Sequence, residues 1–444
     1  MEKKILIAGN NKFCEDTKSV LGVLGIAMVF EQDLKKIAAM LKRADAGLII
    51  FDDDTYRRKR KTPFYYISKA VERTKKHFII VSSNGNKAAI FKAGELGAAD
   101  YIIKPYNYRE FIGRFNAVYL KRERIACIGG GTGLFHMLAG LRKLPNVHLS
   151  SIVNMSDDGG SSGRLKASFG VLPPGDVRMS LVALSNAPEI MNKLIQYRFS
   201  KGGCIRGHSM GNLLLTALSD IKGSLAEAVR SSSEILNIRG VVLPIISTKT
   251  TLCARFENGK IIRGESNIDL CKGRRPHLHI QDIWHDPKAQ CNVEALSAII
   301  HSDIIIIGPG DLFTSVITNL LVRDIQEAIC KAKAKKIYVC NLMTKPGESY
   351  GYSVDDHVRE IIKYMGADCL DYIIISNTLF SQAALHKYAR KRQFPVKLDV
   401  ARQINRLTKA KIIVADVSHQ TDLLRHGSDK MAHAILSIIK SKKE

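Results

Sequence analysis

No apolar run in the 444-residue chain is long enough to cross a bilayer. Runs such as Ile304-Ile305-Ile306-Ile307 are of strand length, against the ~18 apolar residues that a spanning helix needs. Lys3 and Lys4 lead into a strand pattern rather than the apolar core of a signal peptide. Nine cysteines are scattered with no C-x-x-C and no paired spacing. That excludes the common zinc and thioredoxin-like patterns and fits a reduced, cytoplasmic chain with buried thiols. There is no Walker A sequence and no G-x-S-x-G elbow, and no helix-turn-helix spacing is seen. Acidic residues are scarce, 42 Asp and Glu against 67 Lys and Arg, a formal charge of +25. The excess is spread over the whole chain. It favours anionic ligands, nucleic acid or acidic lipid, and is equally a habit of composition. The apolar fraction, 45%, is ordinary for large cores, and the length suggests two or three domains.

Residues 125–176 organise the rest. Ile125-Ala126-Cys127-Ile128 reads as a strand that runs into Gly129-Gly130-Gly131-Thr132-Gly133 and then a helix. Glycines there let backbone N–H groups close on an anion at a helix start. The dinucleotide fingerprint G-x-G-x-x-G is not completed: Leu134 stands at the third glycine, and no acid follows the next strand near Asn154. That second strand ends instead in Asp157-Asp158-Gly159-Gly160-Ser161-Ser162-Gly163-Arg164, and Pro173-Pro174-Gly175-Asp176 follows. Two carboxylates in a small-residue loop can hold a metal or polar substrate groups beside a phosphate cradle. Two strand ends meeting this way form the ligand crevice of an open α/β sheet.

In residues 1–122, strand runs alternate with helical spacing. Apolar strands end at Ala8, at Asp52, at Ser82 and at Lys104-Pro105, with a helix over 32–43 and another over 107–123. Such βα repetition predicts a parallel sheet with polar residues at its carboxyl edge. Asp52, Ser82 and Lys104, in their spacing, resemble the response-regulator receiver family of flavodoxin-like fold. The resemblance implies a phospho-acceptor at Asp52, a switch hydroxyl at Ser82, a phosphate-binding lysine at Lys104 and a sensor kinase as partner. Receivers carry an acidic pair after the first strand to hold magnesium. This chain has Gly9-Asn10-Asn11, with Asp53 and Asp54 as partial compensation. An active acceptor and a pseudo-receiver used for docking therefore both stay open. Arg57-Arg58-Lys59-Arg60-Lys61, flanked by aromatics, reads first as a solvated segment and second as an anionic-partner patch.

Residues 123–444 continue the α/β pattern. Helical spacing covers Val177–Leu184, Glu189–Tyr197 and Leu213–Ile221, the last preceded by Gly207-His208-Ser209-Met210-Gly211-Asn212. One of His208 and Ser209 caps that helix. Residues 240–264 alternate around a hairpin turn and form a β insertion. Lys272, Arg274, Arg275, His277, His279 and His285 are spaced too irregularly for zinc and read as a basic loop. Buried strands then end in Gly308-Pro309-Gly310-Asp311-Leu312-Phe313-Thr314-Ser315, in Asn341 with Met343-Thr344-Lys345-Pro346-Gly347-Glu348 beyond, in Ser376-Asn377, and at Asp416, before Leu424-Arg425-His426.

This ordered set of motifs resembles the CofD-like superfamily, most closely its YvcK or gluconeogenesis factor branch, over residues 124–440. The resemblance implies a Rossmann-like domain that binds a nucleotide sugar of the UDP-N-acetylglucosamine kind, with roles in cell-wall precursor supply and cell shape. Its diphosphate would lie against Gly130, Gly131, Thr132 and Gly133, with Asn212, Gly308, Gly310, Thr314, Ser315, Asn341 and Thr344 completing the cradle and Arg425 as its charge partner. The superfamily's founding enzyme, a phospholactyl transferase, uses a divalent metal such as magnesium. That implicates Asp157 and Asp158 as metal-bearing or catalytic residues in the alternative reading, a transferase. NAD is a third occupant of the same crevice. Asp311 stands where the YvcK pattern has serine, and Arg206 where a small residue is usual; Arg206 is expected to offset Asp311. We expect a cytoplasmic homo-oligomer with no specific nucleic-acid partner and no membrane span.

Overall fold

The computed structural model describes residues 4–42, 46–57, 76–269, 277–366, 368–397, 404, 406–420 and 423–441. Of the basic run 57–61 only Arg57 falls among them, and Lys272, Arg274 and Arg275 lie outside the described residues.

The N-terminal unit contains β1 (Lys4–Ala8), β2 (Met28–Glu31), β3 (Ala46–Asp52), β4 (His77–Ser82) and β5 (Asp100–Ile103). They form one parallel sheet in the order β2-β1-β3-β4-β5. That is the flavodoxin-like order, whose switch point falls between β1 and β3. Asp52 ends β3, Ser82 ends β4, and Lys104 follows β5, so the topology brings the three to one edge. Helices Asn11–Leu21 and Tyr108–Tyr119 cover one face with Phe13, Leu21, Phe111 and Phe115. Asn10 and Asn107 cap them, each side chain accepting a backbone N–H. The second helix is shorter than the spacing suggested: it stops at Tyr119, and the chain turns through Lys121, at φ 50°.

The larger unit begins with β6 (Glu123–Gly129), β7 (Val147–Val153) and β8 (Val241–Pro244). An antiparallel insertion follows, β9 (Thr251–Phe256), β10 (Ile261–Arg263) and β11 (Ile280–Asp286), as the alternating pattern predicted. His285 lies within β11, buried, its Nε2 3.0 Å from the Thr318 carbonyl, so it is not part of a basic loop. The main sheet resumes with β12 (Ile304–Ile307), β13 (Lys335–Val339), β14 (Tyr372–Ser376) and β15 (Lys411–Ala415), and a small hairpin closes the set, β16 (Ser418–Gln420) and β17 (Leu424–His426). The seven parallel strands run β15-β14-β13-β12-β6-β7-β8. The order reverses between β6 and β12, which pair directly, Ile125 beside Ile304 through Ile128 beside Ile307. All four isoleucines of β12 are fully buried, each contributing about 2 kcal/mol of apolar transfer.

The two units share one continuous core, since Tyr101, Ile90 and Phe78 belong to the same apolar cluster as β6 and β12. A buried ion pair fixes the contact: Arg114 donates to Asp100 and reaches Ser297 Oγ at 3.3 Å, while Ser297 Oγ donates to the Tyr101 carbonyl at 2.6 Å. Lys87 pairs with Asp324 across the same boundary. Cys330 and Cys369 form a disulfide with Cα atoms 5.3 Å apart across 39 residues of sequence. This corrects the expectation of thiols alone, because so wide a separation leaves no pattern in the chain. Of the other described cysteines only Cys204 is exposed.

Candidate functional site

The β6 and β12 loops meet at the switch point. Gly131 takes φ +64°, a left-handed backbone that favours glycine. A Cβ on Gly133 would stand 2.4 Å from the Pro309 carbonyl, so the two glycine turns pack backbone to backbone. The helix Gly131–Leu141 starts from this turn with no side-chain cap. Its Gly131 N–H donates to Asp176 Oδ1 at 3.0 Å. A carboxylate of the chain itself thus holds one amide of the glycine loop. Burial, then the neighbouring Asp157 charge, pushes the Asp176 carboxyl up to about 7.

A cavity of about 360 Å³ opens beside this turn, lined by Gly130, Gly131, Thr132, Gly133, Gly310, Ser315, Asn341, Thr344, Lys345 and Arg425, with Tyr388, Lys391 and Gln393 at another wall. Most of the residues expected to form the cradle are therefore brought together. Asn341 donates to the Gly310 carbonyl at 2.7 Å and holds the second glycine turn in place. Thr344 Oγ1 accepts the Phe394 N–H at 3.0 Å. Arg425, exposed on β17, lies 3.4 Å from His136 Nε2. Burial first, then Arg425 and His419, lowers the His136 pKa, so this imidazole stays neutral beside the guanidinium.

Three expected residues lie behind the wall. Thr314 is fully buried, and its Oγ1 donates to Glu348 at 2.9 Å, while the Phe313 and Thr314 N–H groups donate to the other Glu348 oxygen. Asn212 is buried as well, donating to Ser161 Oγ and accepting Arg178 Nε at 2.9 Å. Its helix starts at Met210, capped by Ser209, and His208 turns to Ser161 Oγ at 3.0 Å. Gly308, at φ +77°, shapes the turn under the cavity.

The acidic loop has its own partners. Asp158 accepts the Ser266 N–H at 2.7 Å and the Glu265 N–H at 3.1 Å, capping the helix Glu265–Asp269 of the insertion. Asp157 Oδ1 accepts the Gly159 N–H at 2.9 Å. Among the described residues, one trio, Asp269, Asp311 and Glu348, brings carboxylate oxygens within 4.8 Å of one another. Lys345 sits on all three, 2.5 Å from Asp311 and 3.6 Å from Glu348, and also paired with Asp269. Lys345, not Arg206, therefore offsets Asp311; the Arg206 carbonyl accepts from Arg164 on the exposed side. Burial and the Glu348 and Asp176 charges push the Asp311 carboxyl upward. As arranged, trio and loop fit a lysine and backbone amides rather than a divalent ion. NAD finds no ribose acceptor at the end of β7 either: Asn154 Nδ2 is bonded to the Thr314 carbonyl and its Oδ1 to the Ser156 N–H.

In the N-terminal unit, Lys104 Nζ lies 2.6 Å from Asp52 and 3.0 Å from Asp54. Thr55 Oγ1 donates to Asp52 as well. Ser82 Oγ donates to Asp53 at 2.9 Å, and Arg57 bonds both Asp53 and Ser82. Asn10 is occupied in capping its helix. The three residues expected at this edge are together with Asp53 and Asp54, and Arg57 and Thr55 are members that the sequence did not point to.

A family model described as 2-phospho-L-lactate transferase CofD matches residues 125–418. The gluconeogenesis factor of Bacillus subtilis is 38% identical over 320 residues, 72% of this chain and 99% of that protein. The chain belongs to the gluconeogenesis factor family. A crystal structure of a Bacillus halodurans protein superposes on this chain with a TM-score of 0.68 at 39% identity, covering 71% of this chain and 99% of that one. A two-component response regulator from Clostridium difficile aligns at 20% identity with a TM-score of 0.25, over 27% of this chain and 97% of that one.

Asp176, Glu348 and Lys345 carry much of the site's electrostatics and were given no role from sequence. All three stand inside motifs that were legible, Pro173–Asp176 and Met343–Glu348. What was missing was which of the polar residues in each motif turn toward the crevice.

Proposed function

We propose that this member of the gluconeogenesis factor family is a cytoplasmic regulator that binds a nucleotide sugar of the UDP-N-acetylglucosamine class, and acts on cell-wall precursor supply and cell shape. The observation that carries the reading is the meeting of two glycine turns at the switch point of the main sheet, beside a cavity that holds Thr132, Ser315, Asn341 and Thr344 and faces Arg425. Open α/β sheets take ligands at such a point. Helix-start amides and a guanidinium suit a diphosphate, and polar side chains along the wall suit sugar hydroxyls. The N-terminal unit serves as signal input, coupled through the shared core. Mass spectrometry of small molecules released from the purified protein tests the ligand class. A uridine diphosphate sugar supports it, and a nicotinamide dinucleotide in its place overturns it.

A second reading, a metal-dependent transferase of the 2-phospho-L-lactate transferase type, rests on the match of that family model to residues 125–418. A divalent ion would supply charge neutralisation at a transferring phosphoryl group, but at Asp157 and Asp158 it would have to displace the backbone amides they now accept. Release of nucleoside monophosphate from a nucleoside-diphosphate donor, dependent on magnesium and lost in Asp157→Asn, would favour it over the binding role.

A further inference from the structure

We propose that the helix Glu189–Gln196, together with the hairpin tip at 200–206, docks this protein on an anionic lipid bilayer. Ile190, Leu194 and Tyr197 stand at i, i+4 and i+7, hence on one face. The structure leaves that face outward: Ile190 is 74% exposed, Leu194 46% and Tyr197 51%, while Ile195 on the opposite face is buried. The chain then forms a short antiparallel hairpin. Met210 N–H donates to the Tyr197 carbonyl, Phe199 N–H to His208 and Gly207 N–H to Phe199, and the isolated bridge Arg198–Ser209 closes it. Gly202 and Gly203, both at positive φ, turn the tip, where Lys201 to Arg206 are all exposed, Ile205 among them.

The charges around these apolar side chains choose the occupant. Lys193, Arg198, Lys201 and Arg206 stand against a single carboxylate, Glu189, in residues 189–206. A second copy of the chain would bring the same cations against themselves across a two-fold contact. A peptide helix needs a groove, whereas Ile190 and the tip stand outward from the surface. A bilayer suits both features, because apolar side chains sink at the acyl boundary while Lys and Arg meet lipid phosphates. The overall charge of +25 adds long-range attraction to such a surface. The contact is peripheral: among the described residues no helix is long and apolar enough to cross a membrane. The base of the same hairpin carries His208 and leads into Asn212, both bonded to Ser161 of the acidic loop, so a docked tip would lie close to the crevice.

Co-sedimentation of the full chain with vesicles of phosphatidylglycerol and phosphatidylcholine, against phosphatidylcholine alone, tests the proposal. Binding is expected with the anionic vesicles only, weakening at high salt. Ile190→Glu with Leu194→Glu should abolish it, and Lys201→Glu with Arg206→Glu should lower the partition coefficient by about fivefold per cation. Circular dichroism of each variant checks folding. Three outcomes would overturn the idea: no pelleting with anionic vesicles, pelleting that both folded variants retain, or a dimer in ultracentrifugation that Ile190→Glu dissociates.

Discussion

Each parallel sheet carries a group of three carboxylates near its carboxyl edge, and the two groups are neutralised differently. In the N-terminal unit Asp52, Asp53 and Asp54 meet two cations, Lys104 and Arg57, and three hydroxyls, Thr55, Ser82 and Ser83. In the larger unit Asp269, Asp311 and Glu348 share one cation, Lys345, and border an open cavity beside a glycine turn. The first arrangement is closed on itself, with the Ser82 hydroxyl already held. The second keeps carboxylates next to backbone amides, so that under the proposed function the charge of a diphosphate would be met by Arg425, by the amides and by protonation of Asp176. A closed charge group suits a docking or input unit, and an open one suits a binding unit.

The largest expected effect separates the two groups by stability. Lys345→Met leaves a fully buried Glu348 and its two neighbours without their cation, and should cost about 3 kcal/mol in urea denaturation. Arg57→Ala removes a half-exposed arginine while Lys104 remains, and should cost about 1 kcal/mol. Equal losses would remove the contrast.

Chemistry gives the next test. With Lys104 and Arg57 in place, acetyl phosphate and magnesium should leave Asp52 unlabelled, as read by intact-protein mass spectrometry. Labelling at Asp52 would show that this group opens after all and works as an active receiver.

A smaller effect lies in pH. The Asp176 carboxyl, raised to about 7, loses its proton across the neutral range. A raised acid favours the folded state most below its unfolded pKa, and that contribution fades as pH rises toward 7. An anion beside it favours the protonated form, so diphosphate affinity should rise as pH falls from 8 to 6. Asp176→Asn should flatten both dependences. Affinity that falls over the same range in the native chain would contradict the placement of the anion. The smallest effect is expected at Thr132: Thr132→Ala should weaken ligand binding only a few-fold, as for one neutral hydrogen bond.

Strand and helix positions were legible because buried parallel strands are short apolar runs ending in glycine or polar residues. Ile304–Ile307 before Gly308 and Phe78–Val81 before Ser82 are examples. The glycine turns were legible for the same reason, since Gly131 and Gly308 stand where the backbone turns left-handed. Side-chain direction was not. Thr314 and Ser315 are neighbours in sequence, yet Thr314 turns inward to Glu348 and Ser315 faces the cavity. Asp157 and Asp158 look like a pair, yet Asp158 caps a helix that begins at Glu265, over a hundred residues away. Such partners depend on the β9–β11 insertion folding back over the crevice, and nothing local to Asp158 encodes it.

The central claim, that the crevice between β6 and β12 holds a nucleotide sugar through its glycine turns and Arg425, is tested most directly by titration calorimetry. UDP-N-acetylglucosamine is titrated into the intact protein, into Arg425→Ala, and into Lys104→Ala as a variant in the other charge group. Saturable one-to-one binding that Arg425→Ala weakens at least tenfold, consistent with loss of a charged hydrogen bond, and that Lys104→Ala leaves unchanged, is the expected result. No heat up to millimolar ligand, or equal affinity in Arg425→Ala, would contradict it.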